Sequence, residues 1–332
     1  MLPMPSSEPI RPPTLTTSPL SERSSPNATV SSDAKCSSRA GSISKVLSII
    51  LLATSPAGLR ANDFVGAEAC RACHLPQFTA QSKTGHATAL SRNGETWNFG
   101  SGLQAITPVS RLSAETYKEH GLTKYTRTKR AALTPGHKDS AGVPYRVYDP
   151  GAQILKCFQC HSTGPLSLTP AQGIQPKELG VKCETCHGPG GDHAKAPAKA
   201  NIFQPKMLNG TGINELCGDC HRQPPKPGED TNWNDPWNAR HQPLAFSQSA
   251  CFRESQGRLT CLTCHDPHGA KPVRQDACQD CHKAPRHTRP LAKAQTCTGC
   301  HMPLVRPSSD LQFANHWIGI YAPGNTLMPK SR

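Results

Sequence analysis

The chain has few of the residues from which a protein core is usually built. Of its 332 residues, 35% are hydrophobic and 5% are aromatic, whereas 32 are proline and 26 are glycine. Because proline lacks an amide donor and glycine weakens helices and strands, much of the chain must form turns and connections. This composition excludes a large conventional core of side chains, and the chain needs something else to pack around.

Long apolar runs are also missing. The run from Val46 to Ala53 is too short to span a bilayer as a helix. It follows Lys45 and precedes small residues at Ala57 and Ala61, a pattern typical of a secretory signal peptide. A buried strand or helix turn is the alternative. We expect residues 1–61 to be a disordered leader and signal peptide, and the mature chain to be periplasmic or otherwise exported.

Cysteine, in contrast, is abundant, with 16 residues. Fourteen of them belong to a motif, Cys-x-x-Cys followed at once by His, which occurs seven times; Cys36 and Cys251 lie outside it. In chain order, motifs 1 to 7 contain Cys70, Cys73 and His74; Cys157, Cys160 and His161; Cys183, Cys186 and His187; Cys217, Cys220 and His221; Cys261, Cys264 and His265; Cys278, Cys281 and His282; and Cys297, Cys300 and His301.

The histidine in every motif distinguishes between cofactors. Zinc sites need a second cysteine pair or a later histidine pair, not histidine directly after the second cysteine, and redox dithiols have no such requirement. Covalent attachment of haem c does need this spacing, because two thiols add to the vinyl groups and the adjacent imidazole binds the iron. The sequence therefore predicts seven covalently bound haems, with zinc and disulfides as the alternatives.

Each iron would also need a second axial ligand. Methionine is scarce after the leader, so histidine is the expected ligand and the haems should have low potentials. Eight histidines lie outside the motifs, and we expect His120, in a hairpin turn between two short strands, to be the unliganded one. The predicted distal ligands are His86, His137, His193, His241, His268, His287 and His316.

His268 poses a question of reach. It lies three residues after His265, a distance of about 10 Å at full extension, which is too short to pass round the porphyrin to the opposite face. It must be a surface residue or the distal ligand of a neighbouring haem.

The motif spacing suggests how the chain is organised. Residues 62–150 hold one motif and a segment with alternating Tyr, Thr and Lys, whereas residues 151–332 hold six motifs. We therefore expect a first-motif region with a small β-rich insertion, followed by a six-haem cluster domain. The predicted fold is mainly α with extensive coil, built around packed haems.

Several longer runs resemble the multihaem c-type cytochromes of the cytochrome c-554 type. They are FVGAEACRACH with SKTGHA, GVKCETCHGPGGDH, RHQPLAFSQSACFRESQGRLTCLTCHDPH, and CTGCHMP with NHWIG. The resemblance covers most of residues 62–320 and implies a bacterial electron carrier, periplasmic or on the surface, with closely packed, mostly bis-histidine haems. It also supports His86, His193, His241, His268 and His316 as ligands. The prototype has four haems rather than seven, so its partner is not transferred.

Three functions fit these observations. The first is electron transfer between redox partner proteins, such as a quinol-linked membrane cytochrome or a terminal reductase. The second is reduction of a small nitrogen or sulfur oxyanion at one open haem. The third is a subunit of a haem wire or a membrane-associated complex. The net charge of +14 would normally suggest nucleic acid, but haem propionates offset it, and we expect no nucleic-acid partner.

Overall fold

The computed structural model describes residues 63–283, 285, 287 and 296–330, so the expected leader and signal peptide over residues 1–61 lie outside the described residues. The described helices are short, and only α3 (Gln153–His161) and α6 (Gly210–His221) exceed seven residues. The other α-helices are α1 (Ala67–Arg71), α2 (Leu75–Gln81), α4 (Cys183–His187), α5 (Gly191–Lys195), α7 (Gln242–Phe246), α8 (Ala250–Glu254), α9 (Cys261–Cys264) and α10 (Cys297–His301). Single 3₁₀ turns lie at Lys199–Asn201, Pro205–Met207, Pro236–Arg240 and Ala277–Asp280.

Every motif begins in one of these helical segments. The backbone N–H of the motif histidine donates to the carbonyl of the first cysteine in motifs 1, 5 and 6, each at 2.9 Å. One helical turn places residues i, i+3 and i+4 on a single face. The two thiols and the imidazole of a motif therefore share a face, the arrangement that attachment to one planar group requires.

Seven strands between residues 90 and 146 form one antiparallel sheet, in which β1, β2, β3, β4 and β7 are consecutive neighbours. The strand β5 pairs with β3 and with β6. These strands are β1 (Leu90–Asn93), β2 (Thr96–Phe99), β3 (Ala105–Arg111), β4 (Thr116–Glu119), β5 (Leu122–Tyr125), β6 (Arg130–Leu133) and β7 (Val143–Arg146). Two hairpins follow: β8 (Ser162–Thr169) with β9 (Gly173–Leu179), and β10 (Leu304–Val305) with β11 (Phe313–Ala314).

The expectation of a mainly α fold with a small β-rich insertion is wrong. The described helices are mostly single turns, whereas the largest element is the seven-stranded sheet. The hairpin expected around His120 is also wrong, because β4 and β5 each pair with β3 and not with one another. The physical reason is that a haem motif needs only one helical turn, while the alternating aromatic residues need a sheet to pack on.

The main core of side chains lies where this sheet meets α3. Phe158, which is fully buried inside motif 2, contacts the rings of Trp97 at 4.9 Å, Phe99 at 5.1 Å and Tyr117 at 5.9 Å, all edge to face. Such aromatic contacts add to the free energy gained from burial. The helix that carries motif 2 is therefore fixed by the sheet.

The sheet also holds the C-terminal segment. The guanidinium of Arg130 on β6 donates to both carboxylate oxygens of Asp310, at 2.7 and 2.8 Å, and the Thr128 hydroxyl donates to the same carboxylate at 2.6 Å. These donors hold the pKa of Asp310 well below its usual range. The ion pair anchors the segment between motif 7 and His316 to the edge of the sheet.

Replacing Trp97 by Ala should destabilise the protein. The change empties a buried site next to Phe158 and should lower the free energy of unfolding by roughly 3–5 kcal/mol. Trp97→Phe should cost clearly less, because in the described structure the indole N–H has no hydrogen-bond partner to lose. Denaturant unfolding of the complete protein measures both. Leu103→Ala, at a side chain 71% exposed, is the control and should stay within about 0.5 kcal/mol; equal losses in all three variants would contradict this account.

Candidate functional site

Histidine side chains from distant parts of the chain face each other in five pairs, and each pair joins one motif histidine to one histidine outside the motifs. The ring centres are 6.1–6.4 Å apart in all five. The pairs are His74 with His193, His86 with His221, His187 with His268, His265 with His316, and His287 with His301.

This spacing fits a metal ion between the rings. A metal–imidazole bond is about 2.0–2.1 Å long, so two coordinating Nε2 atoms lie about 4 Å apart and the ring centres roughly 6 Å apart. The five distances also agree to within 0.3 Å, whereas the direct ring contacts in the core range from 4.9 to 5.9 Å. The five pairs thus have the separation expected of two imidazoles that bind one metal ion from opposite sides.

Several of these histidines are oriented through their other ring nitrogen. Nδ1 donates to a backbone carbonyl in His187 (Phe203, 2.9 Å), His193 (Ala198, 3.0 Å), His301 (Gly319, 2.9 Å) and His316 (Ala314, 3.0 Å). A carbonyl can only accept, so the proton must be on Nδ1. This leaves Nε2 with a free lone pair, as is usual for histidines that bind metals.

Burial keeps several of the rings neutral, which is the form that can bind iron. It lowers the pKa of His316 to about 4. It also lowers the pKa values of His86, His221 and His265, which belong to two different pairs.

The remaining histidines lie elsewhere. In the described structure, the motif histidines His161 and His282 face no second histidine ring. His161 is nevertheless oriented like the others, because its Nδ1 donates to the carbonyl of Ala89 at 3.0 Å. His282 is exposed.

The other three non-motif histidines also have no ring partner of this kind among the described residues. His120 and His137 use Nε2 in hydrogen bonds, to the Ser110 hydroxyl at 2.8 Å and to the Glu119 carboxylate at 3.1 Å. Burial first, then the charges of nearby arginines, lower the pKa of His241 to about 4. Five of the seven predicted distal ligands therefore face a motif histidine. The other two, His137 and His241, do not face one in the described structure.

Sequence reasoning did not identify the groups that orient these imidazoles. The five acceptors named above are backbone carbonyls, which leave no signature in residue type. The sequence also gave no signal for Glu119, which hydrogen-bonds His137, or for Tyr145, which donates to Glu119, because only the sheet brings these residues together.

A cavity of about 1170 Å³ lies beside motifs 1 and 3 and is lined also by His193 and His268. It is larger than the roughly 300–1,000 Å³ of a typical small-molecule site. Lys199, Lys206 and Lys271 line it without an ion-pair partner in the part of the chain that the structure describes. Space, thiols, paired imidazoles and unpaired cations together fit a large planar group that carries carboxylates.

Thiols of different motifs also meet. Cys70 lies near enough to Cys183, Cys160 to Cys220 and Cys217 to Cys261 for the thiols of each pair to shift one another's pKa values. Motif 1 is therefore next to motif 3, and motif 4 is next to both motif 2 and motif 5. Motifs 1 and 3 thus form one group and motifs 2, 4 and 5 another, an arrangement that differs from the order in the sequence.

The alternatives to haem find less support. The motif cysteines are unpaired, and no group of three or more His, Cys, Asp or Glu side chains gathers into a metal site over residues 63–283, 285, 287 and 296–330. A structural zinc site needs four such ligands. Within the same residues, no helix is long and apolar enough to cross a membrane.

Comparison with known proteins also finds similarity to multihaem cytochromes. Residues 114–188 match the family model described as cytochrome c554 and c-prime. The chain is 28% identical to the multihaem cytochrome MtrA of Shewanella baltica, over 44% of this chain and 45% of that protein. It is also 28% identical to the dissimilatory sulfite reductase MccA of Wolinella succinogenes, over 74% of this chain and 51% of the relative. The chain spans about half the length of these curated relatives.

Among solved structures, the outer cell wall cytochrome OcwA has a similar fold, with a TM-score of 0.52 and 17% identity over 77% of this chain and 79% of that one. The resemblance that the sequence indicated is confirmed. The seven Cys-x-x-Cys-His turns, the facing imidazoles and these relatives together make the chain similar to the multihaem c-type cytochromes.

Proposed function

We propose that this protein is an exported electron carrier that binds seven haems, one at each motif, and relays electrons between redox partner proteins. The observation that carries the proposal is the set of five histidine pairs with ring centres 6.1–6.4 Å apart. Five irons with two imidazole ligands each would be closed to substrates and suited only to exchanging electrons.

The proposed haem-binding residues follow from the motifs and the pairs. The fourteen motif cysteines would form the thioether bonds, and the seven motif histidines would bind the irons. The distal ligands supported by a facing motif histidine are His86 for motif 4, His193 for motif 1, His268 for motif 3, His316 for motif 5 and His287 for motif 7. The roles predicted for His137 and His241 have no such support and stay predictions.

The bound haems would supply one-electron redox chemistry. The chain's own contribution is to hold the imidazoles neutral and oriented, to provide lysines for the propionates, and to keep the motifs adjacent. The proximity of motif 1 to motif 3, and of motif 4 to motifs 2 and 5, supports short electron-transfer steps between the haems of these motifs. Partners such as a quinol-linked membrane cytochrome or a terminal reductase would donate or accept the electrons.

A second candidate function is reduction of a small nitrogen or sulfur oxyanion at an open haem. Two observations favour it: His161 and His282 face no other histidine among the described residues, and one relative is named a dissimilatory sulfite reductase. The haem at motif 2 is the stronger candidate, because His161 is oriented as a ligand by the Ala89 carbonyl.

Replacing a distal histidine should open one iron. In His193→Ala, the haem at motif 1 loses its second imidazole, so the low-spin EPR intensity of the oxidised protein should fall by one haem and a high-spin ferric signal should appear. His120→Ala is the matched control, because in the described structure the His120 ring hydrogen-bonds the Ser110 hydroxyl and belongs to none of the five pairs. Identical spectra for the two variants would contradict the assigned pairs.

Adding oxyanions to the reduced protein separates the two functions. A carrier should be reoxidised by sulfite or nitrite no faster than free haem peptide is, and the EPR spectrum of the oxidised protein should not respond to them. Stopped-flow absorbance of the reduced protein measures the rate. Rapid reoxidation, together with a high-spin signal that shifts on adding one of these anions, would reject the pure carrier in favour of the reductase.

A further inference from the structure

The seven-stranded sheet packs closely around one motif, motif 2. The His161 ring meets the edge of Phe99 at 5.3 Å, and its Nδ1 is held by the carbonyl of Ala89 just before β1. Phe158, from the same motif, fills the core of the sheet. A haem attached at motif 2 would therefore have its proximal ligand in a protein environment built by the sheet.

That environment contains a carboxylate. Glu119, at the end of β4, accepts hydrogen bonds from the Tyr145 hydroxyl at 2.9 Å and from His137 Nε2 at 3.1 Å, both on the same carboxylate oxygen. The His137 side chain is only 5% exposed and that of Glu119 is 25% exposed. In the described structure no lysine or arginine forms an ion pair with Glu119. The negative charge is therefore fixed in position and not neutralised by a permanent cation.

The charge lies close to the first cysteine of motif 2. Cys157 packs against the same aromatic core as Tyr145. Burial raises the pKa of the Cys157 thiol to about 11, and the negative charge of Glu119 is the next contribution. Burial and the same carboxylate raise the pKa of Tyr145 to about 12. Both neighbours are thus in the electrostatic field of Glu119.

We propose that Glu119, held in place by Tyr145 and His137, selectively lowers the midpoint potential of the haem attached at Cys157, Cys160 and His161. A ferrous haem carries one more negative charge than a ferric haem, so a fixed carboxylate nearby disfavours the reduced form. The effect is larger in a partly buried site than in water, because the field is less screened. The inference rests on the proposed attachment of haem at motif 2. Glu119 is a tuning residue that acts through space and not a ligand.

This effect would give one haem a lower midpoint potential than the others. Motif 2 contacts motif 4, because the Cys160 thiol donates to the carbonyl of Asp219 at 3.8 Å, so the haem at motif 2 would lie next to the haem at motif 4. A lower potential at this position would leave it oxidised while its neighbours fill with electrons. The sheet would then serve to set the energy of a single site in the relay.

The direct test is a potentiometric titration of Glu119→Gln, with the haem-loaded protein followed by absorbance and EPR at about pH 8, above the usual pKa of histidine. One haem of the seven should titrate at higher potential, with its ferrous-to-ferric ratio raised about tenfold at any given potential, or about 59 mV for one electron. Glu119→Asp keeps the charge and should restore most of the wild-type value.

Glu115→Gln is the matched control, because Glu115 lies just before the same strand and is exposed. It should leave all seven potentials unchanged. An unchanged titration of Glu119→Gln, an equal shift of all haems, or the same shift in the control would overturn the inference.

Mass spectrometry of the proteolytic peptide that contains Cys157 and Cys160 distinguishes the two levels of failure. A peptide with the mass of attached haem and no potential shift rejects only the role of Glu119. A peptide without haem rejects the proposed attachment at motif 2 itself.

Discussion

The pairing of imidazoles across the chain is the interaction on which most of this structure depends. In four of the five pairs the two histidines belong to segments far apart in sequence, as with His74 and His193 or His86 and His221. The helices that carry them are mostly one or two turns long, too short to be stable alone. A shared ligand between the rings would supply the attraction that side chains do not. In the proposed holoprotein, folding and haem binding are then one process, as for other domains whose ligands are gathered by a metal.

The seven-stranded sheet, in contrast, is held together by packed side chains. It has the aromatic core around Phe158 and Trp97, buried to about 1% exposure or less, and it needs no cofactor to explain its strands. The chain thus combines a conventional β-structure with a region whose interior is a cavity lined by cysteines and histidines. Motif 2 lies where the two meet. Its histidine is oriented by the sheet and its thiol contacts motif 4, so it belongs to both.

How far the sequence could predict this structure depended on the range of the interaction. The motif geometry was accessible, because spacing within one helical turn fixes which side chains share a face. The limited reach of His268 was accessible too, and the structure places its ring 6.1 Å from His187 and not against His265. The secondary structure expected from the sequence was less accurate. The mainly α expectation failed because the helical segments that carry the motifs are mostly single turns. Strands β4 and β5 were expected to form a hairpin, yet both pair with β3, and no local pattern encodes that choice. The choice of partner for each distal histidine, and the position of Glu119 beside Cys157, arise only from the tertiary fold.

The most direct measurement is low-temperature EPR of the oxidised, haem-loaded protein, with the spins counted against haem content. The facing imidazole planes differ by 11°, 22° and 24° in three pairs but by 51° and 60° in the other two. Axial ligands determine the electronic state of the iron, and near-parallel and crossed imidazoles give rhombic and strongly anisotropic low-spin signals, respectively. The account predicts both classes, with about three haems in the first and at least two in the second. Fewer than five low-spin haems per chain would contradict it.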